Sequence, residues 1–248
     1  MTLSLADKAY NILKADIITC TLRPGQQIAQ SQLAEQHQMG TTPIREALQR
    51  LAQEGFVQPV PRFGYIVTPI SFSDVHEIYE LRSIAESAAA RLAAVRGSQE
   101  QLRRIAEAAT FTYVYRDVRS YTEFLSRNTE FHRSIAIVAG NQRLVDLVSR
   151  LLDELTRVFH LGLDLRDSAE EMRDEHLALV KALTDRDPDR AEKIVQSQIA
   201  RSQQRVVEAL TSRLSAASPN LLGQAIRVDC LRHSRHRGEH SDTHHLSG

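Results

Sequence analysis

The chain has 248 residues, 42% of them apolar and 25% charged, with 31 basic and 31 acidic side chains. Those fractions are ordinary for a soluble globular protein, and the length allows one large domain or two modest ones. The zero net charge neither points to nucleic acid nor excludes it, since a local basic face can be balanced elsewhere, and residues 1–70 are nearly neutral too, with six Lys or Arg and five Asp or Glu.

Other classes are set aside quickly. Trp is absent and aromatics are 5%, so the core must be Leu, Ile, Val and Ala, a mix that favours helices. Cys20 and Cys230 lie far apart and neither has a CxxC partner, which argues against a disulfide framework or a zinc ribbon. The N-terminus MTLSLADKAY lacks the apolar core of a signal peptide. No stretch approaches the ~20 apolar residues of a membrane span. A cytoplasmic protein without a membrane partner is expected.

In chain order, residues 6–19 read as a helix, with Ala9, Ile12, Leu13 and Ile17 at helical spacing. Leu22-Arg23-Pro24-Gly25 is a turn. Ser31 is placed to cap a short helix over 32–38, and Met39-Gly40 turns the chain. Thr41 or Thr42 caps a second helix that has Pro43 in its first turn and stops at Gly55. Two short extended runs, 57–60 and 65–68, are joined by Pro61-Arg62-Phe63-Gly64 as a hairpin tip. The order is helix, helix, turn, helix, two-stranded wing.

A boundary falls at 69–74, where Pro69 interrupts regular structure and Ser73 or Asp74 can cap the next helix. Helices are then predicted over 74–96, 99–115, 120–139, 142–161, 168–184 and 188–214. The first carries Val75, Ile78, Tyr79, Leu81, Ile84, Ala85, Ala88 and Leu92 on one broad stripe, wide enough to pack against several partners. The expected fold is mainly α: a winged helix-turn-helix over 1–70 and an antiparallel all-helical bundle over 71–214. Residues 215–248 are expected to be a flexible His-rich tail, since their composition buries too little surface to order itself.

The most informative stretch is Leu33-Ala34, the turn at Met39-Gly40, then Thr42-Pro43-Ile44-Arg45-Glu46-Ala47-Leu48 with Leu51. A tight turn between two short amphipathic helices lets the second enter a major groove with its N-terminal end against the DNA. Thr41, Thr42 and Arg45 sit at that end. Hydroxyls and free N–H groups there suit phosphate, and Arg45 can reach a guanine edge or a phosphate. Ser31 is counted with this set, Arg50 as a backbone contact, and Arg62 and Gly64 as wing-tip contacts.

With Glu54-Gly55 and the wing glycine Gly64, this string resembles the DNA-binding domain of the GntR family of regulators over residues 6–69. Thr41 departs from the family pattern, standing where many members carry a base-reading arginine. With Glu80-Leu81-Arg82, Glu86, Asn128-Thr129-Glu130-Phe131-His132, Ala139-Gly140-Asn141, Glu175-His176 and Gln198, residues 74–214 resemble the FCD effector domain of the FadR branch, an antiparallel helical bundle. Many members hold a divalent metal there with one Asp and three His. By position, Asn128, His132, His176 and Gln198 stand in those places. Two neutral carboxamides and two imidazoles are a weak set for a zinc-like ion. The residues in those places favour a polar, metal-free pocket in which these four bind an effector; the alternative is a divalent metal held by His132 and His176 with weak support from Asn128 and Gln198. Arg82 joins them, since its counterpart faces the pocket and a guanidinium can clamp a carboxylate; the alternative is an intrahelical pair with Glu86. Tyr79, Tyr113 and Tyr121 are candidate lining or core residues.

The resemblance further implies a homodimer on an inverted-repeat operator, usually a repressor released by its ligand, here a small organic acid. Pocket occupancy is expected to reorient helix 74–96 and, through the 69–74 linker, the winged domains. Two rivals stand beside this reading: an all-helical metal-dependent enzyme using His132 and His176, and an interaction module whose winged domain binds protein.

Overall fold

Residues 3–161 and 167–216 are described in a computed structural model of the chain. The N-terminal part begins with α1 (Leu5–Ile18), capped by the Ser4 hydroxyl, which accepts from the Asp7 N–H. It buries Ala9, Leu13 and Ile17, while Ile12 turns partly outward. Then come β1 (Gln27–Ile28), α2 (Gln30–Gln36), α3 (Thr41–Gln53), β2 (Val57–Val60) and β3 (Gly64–Val67). The wing is a three-stranded antiparallel sheet in the order β1-β3-β2, with Gln27 opposite Ile66 and Val57 opposite Val67.

Strand β1 is absent from the sequence reading. Two residues give no alternation to detect, and the strand exists only because β3 pairs with it. That pairing also explains the wing glycine: Gly64 has φ +91°, and a Cβ there would lie 2.6 Å from the Ile28 carbonyl oxygen. Its close approach is to the protein's own backbone. Two caps differ from expectation as well. Ser31 lies inside α2, whose N-cap is Ala29, and α3 is capped by Gly40 with no side-chain bond, so Thr41 and Thr42 are its first helical residues.

The helical part comprises α4 (Phe72–Arg96), α5 (Gln99–Ala108), α6 (Val118–Val138), α7 (Gln142–His160), α8 (Ala169–Thr184) and α9 (Pro188–Ala216). The cap of α4 is Ser71 rather than Ser73 or Asp74. The Ser71 hydroxyl accepts from the Asp74 N–H, and the Asp74 carboxylate accepts from the Ser71 N–H, each satisfying an orphan donor. α5 stops at Ala108, seven residues before the predicted end at 115. Beyond it Phe111 and Tyr113 are buried while Thr112 is exposed, an alternation that suits extended chain, not helix. The α4 stripe is also redrawn: Leu81, Ile84 and Ala88 face outward, and Arg82, Glu86, Ala89, Ala90 and Ala93 face inward. α4 packs on α6, α7 and α8, and α6 packs on α7.

By compactness the chain divides into Met1–Val206 and Val207–Gly248. Within the first unit α1 also packs against α7. Lys14 Nζ lies 3.0 Å from both Glu54 and Asp153, which links α1 to α7. The Arg157 guanidinium donates to the Thr68 carbonyl at 2.5 Å, and the Cys20 thiol donates to the Arg157 carbonyl. In the second unit α9 continues to Ala216, with the Thr211 hydroxyl donating to the Val207 carbonyl. Beyond Ala216 the His-rich segment lies outside the described residues.

Candidate DNA-binding face and effector cluster

α3 is two-sided. Ile44, Ala47, Leu48 and Leu51 are completely buried against α1, α2 and the wing. The 3.6-residue period then forces Thr41, Thr42, Arg45, Glu46 and Gln49 outward. All five are exposed. With Gly40 as N-cap and no side-chain cap bond, the first N–H groups of α3 are free to meet phosphate. Arg45 makes no ion pair among the described residues, so its guanidinium is uncommitted. Arg50 differs: it pairs with Asp7 at 2.9 Å and stacks over the Tyr10 ring at 3.9 Å, which fastens α3 to α1. Arg62 sits exposed at the wing tip with φ +68°, next to Phe63, which is 63% exposed. Ser31 lies on the outer side of α2. Gln49 is absent from the sequence-derived set; its signal is the i+4 relation to Arg45, which places both on one helical face.

The second group gathers inside the bundle. Arg82, Asn128, His132, His176 and Gln198 line one small cavity together with Glu175 and others. The cavity holds about 20 Å³, room for roughly one water-sized group. α4 supplies Arg82 and Glu86, α6 supplies Asn128 and His132 four residues apart, α8 supplies His176 and α9 Gln198. All are under a tenth exposed.

Arg82 is not free. Its Nε donates to Glu86 Oε1 at 2.5 Å, and both side chains are 4% exposed. The i+4 spacing that reads as a weak surface pair is a buried ion pair here. Glu86 Oε2 in turn lies 3.0 Å from His132 Nδ1. Burial pushes the Glu86 carboxyl up, but Arg82 and His132 outweigh it and hold the group at about 2. His176 is pushed down to about 3 by burial and by the neighbouring His132 and Arg205, so it is a neutral imidazole near pH 7. Its ring packs against Phe111, Phe131 and His132, with centroids 4.9, 4.7 and 5.6 Å away. The Gln198 amide donates to the Glu175 carbonyl. At the cluster, the buried atoms Arg82 Nη1, His176 Nδ1 and Gln198 Oε1 have no hydrogen-bond partner. Orphaned groups cost ~1–3 kcal/mol each, so their clustering marks a place built for something else.

A divalent metal does not fit this donor set. Among the described residues no three His, Cys, Asp or Glu side chains are arranged to hold one. Asn128 and Gln198 offer only neutral oxygens, and the nearby carboxylate of Glu86 is tied to Arg82. Tyr79 is packed beside Arg82 and shares a hydrogen bond with Ser202, while Tyr113 and Tyr121 join Phe124 in an aromatic cluster of the core.

Comparison with known proteins agrees with this architecture. The gntR family of bacterial regulatory proteins matches residues 5–67, and the FCD domain matches residues 77–201. The chain is 27% identical over 184 residues to the HTH-type transcriptional repressor RspR of Escherichia coli K12, covering 74% of this chain and 81% of that one. It is 28% identical over 188 residues to the Nta operon transcriptional regulator of Aminobacter aminovorans, covering 76% and 88%. Among solved structures, E. coli McbR/YncC shares the fold with a TM-score of 0.71 at 21% identity, over 84% of this chain and 99% of that one. These relatives are regulators, and the enzyme alternative finds no support among them. A two-sided α3, a three-stranded wing and a helical bundle with a buried polar cluster thus lie in a chain that belongs to the gntR family of bacterial regulatory proteins, a DNA-binding transcription regulator with an FCD effector domain.

Proposed function

We propose that the chain works as a homodimeric repressor that sets α3 into successive major grooves of an inverted-repeat operator. The outward face of α3 carries this reading: Thr41, Arg45 and Gln49 are exposed, and the opposite face is fully buried. Arg45 reads a base edge or clamps a phosphate, Gln49 is placed to meet an adenine edge, and Arg62 at the wing tip approaches the adjacent groove. Ser31 flanks the same surface from α2.

The effector is a small organic acid that also carries a hydrogen-bond donor. A carboxylate oxygen meets Arg82 Nη1, and a hydroxyl on the same molecule meets Gln198 Oε1 or His176 Nδ1, with Asn128 and His132 alongside. The cavity is far smaller than such a ligand, so binding must spread the helices around it. α4 bears Arg82 and Glu86 and begins at the linker to the wing. A ligand that favours the spread state shifts the population of DNA-competent dimers.

The test is fluorescence anisotropy of the protein with a fragment of its own promoter. Arg45→Ala is expected to weaken binding by ~5–100-fold, the range for one arginine contact, with an unchanged circular dichroism spectrum. Undiminished affinity in that variant removes α3 as the recognition helix.

A further inference from the structure

The wing tip is held in a conformation its residues do not prefer. Arg62 has φ +68° and Gly64 φ +91°, with Gly64 pressed against the Ile28 carbonyl. A bulky residue at positive φ costs free energy and persists only where its surroundings fix it, an arrangement that recurs at functional sites. Here hydrogen bonds fix it. The Phe63 N–H donates to the Val60 carbonyl, and the Phe63 carbonyl accepts from the Gln27 side-chain amide, both at 3.1 Å. Between these two anchored ends Phe63 projects a ring that is 63% exposed, more than any other phenylalanine of the chain. The tip is thus a rigid support for an apolar side chain that the protein itself does not bury.

The tip also lies where a duplex passes. A Cβ at Gly64 would be 3.4 Å from the Cα of Ala29, and Ala29 is the N-cap of α2. In a helix-turn-helix that helix crosses the sugar–phosphate backbone while the next one enters the major groove. A tip beside the start of α2 therefore flanks the groove occupied by α3 and meets the neighbouring minor groove. No acid occurs between Gly55 and Ser73, so the wing itself carries nothing that repels phosphate. Arg62 is exposed next to the ring and supplies the cation that a narrow, negative minor groove attracts.

We propose that Phe63 is an apolar wedge: its ring enters the minor groove beside the major groove read by α3, inserts between two base pairs and kinks the operator. Unstacking one base step costs a few kcal/mol, offset by burial of the ring and by the extra protein surface that a bent duplex reaches. That cost is lowest at a pyrimidine–purine step, so Phe63 sets a sequence preference at a position where no hydrogen bond reads a base. This role rests on α3 being the recognition helix and adds a specificity determinant outside it.

Native gels of the full chain on circularly permuted copies of a fragment of its own promoter measure the bend, and fluorescence anisotropy at several salt concentrations measures affinity. The wild type is expected to kink the fragment by ~20–90°, the range for inserted apolar side chains. Phe63→Ala should at least halve the bend. It should also weaken binding ~5–25-fold, the share of a full phenylalanine burial left for a ring 63% exposed. The slope of log K against log salt should stay unchanged, since no phosphate contact is lost. Phe63→Leu is still a wedge and should keep most of the bend. Three results each overturn the proposal: a straight wild-type complex, an undiminished bend in Phe63→Ala, or a salt slope reduced by ~1 in that variant, which marks a phosphate contact. Altered sedimentation of Phe63→Ala with the bend intact overturns it in favour of a protein contact. Arg45→Ala separates the two levels. Full affinity in Arg45→Ala removes α3 as the recognition helix, whereas a weakened Arg45→Ala beside a fully bent Phe63→Ala complex removes the wedge alone.

Discussion

Replacing Glu86 by glutamine keeps the shape of the side chain and deletes its charge. Arg82 is then left as a buried cation whose nearest acid is gone. Both partners are 4% exposed and 2.5 Å apart, so solvent cannot take over. Breaking such a pair from one side costs about 3–5 kcal/mol, a large part of the ~5–15 kcal/mol that holds a typical domain folded. With a urea slope of ~1–3 kcal/mol per molar, the midpoint should fall by roughly 1–5 M. Replacing both partners with apolar residues, Arg82→Met with Glu86→Leu, should recover most of that loss, because no charge is then stranded. Acid adds an independent signature. The Glu86 carboxyl sits at about 2 in the fold against an ordinary 4.5, so the unfolded chain takes the proton more readily. Its stabilising share is whole above pH ~4.5 and fades as pH falls toward 2. Glu86→Gln should lack that part of the acid sensitivity. Urea melts monitored by circular dichroism at several pH values measure all of this. A midpoint shift below ~0.3 M for the single variant, or a double variant no better than the single, refutes the buried-pair argument.

Two further outcomes concern the wing glycine and the buried imidazole. Gly64→Ala puts a Cβ 2.6 Å from the Ile28 carbonyl oxygen at a backbone φ of +91°. It should cost ~1–3 kcal/mol and loosen β1 from β3, seen as faster amide exchange at Gln27 and Ile28; wild-type exchange there would show that the wing does not need the approach. His176 holds no proton in the fold until pH falls to about 3, against an ordinary 6.5. Stability should thus be complete above pH 6.5 and decline as pH falls from there, since only the unfolded chain gains the proton. His176→Gln should flatten the melting temperature between roughly pH 7.5 and 5.5, and an unaltered slope counts against a buried neutral imidazole.

Local chemistry made the recognition motif readable. The turn at Met39-Gly40, the period of Ile44, Ala47, Leu48 and Leu51, and the hairpin residues before Gly64 each act within a few positions of chain. Their consequences could be worked out before any folding was known. The same holds for α7 and α8, whose periodic runs end near the predicted boundaries. It fails where a partner distant in sequence decides the matter. β1 exists because β3 lies beside it. Residues 109–117 leave the helix because Phe111 and Tyr113 find the core by alternation, and Ser31 loses the cap because α2 begins earlier than its polar residues suggest.

The buried polar cluster divides along the same line. Asn128 and His132 could be placed on one face from their spacing, and Arg82 with Glu86 likewise. Spacing alone gives an ion pair its geometry but not its dielectric surroundings. Only packing decided that Glu86 is buried and that His176 has aromatic rings around it instead of water. Backbone periodicity is a property of neighbouring residues, whereas burial is a property of the whole chain, and the cost of a charge depends on burial.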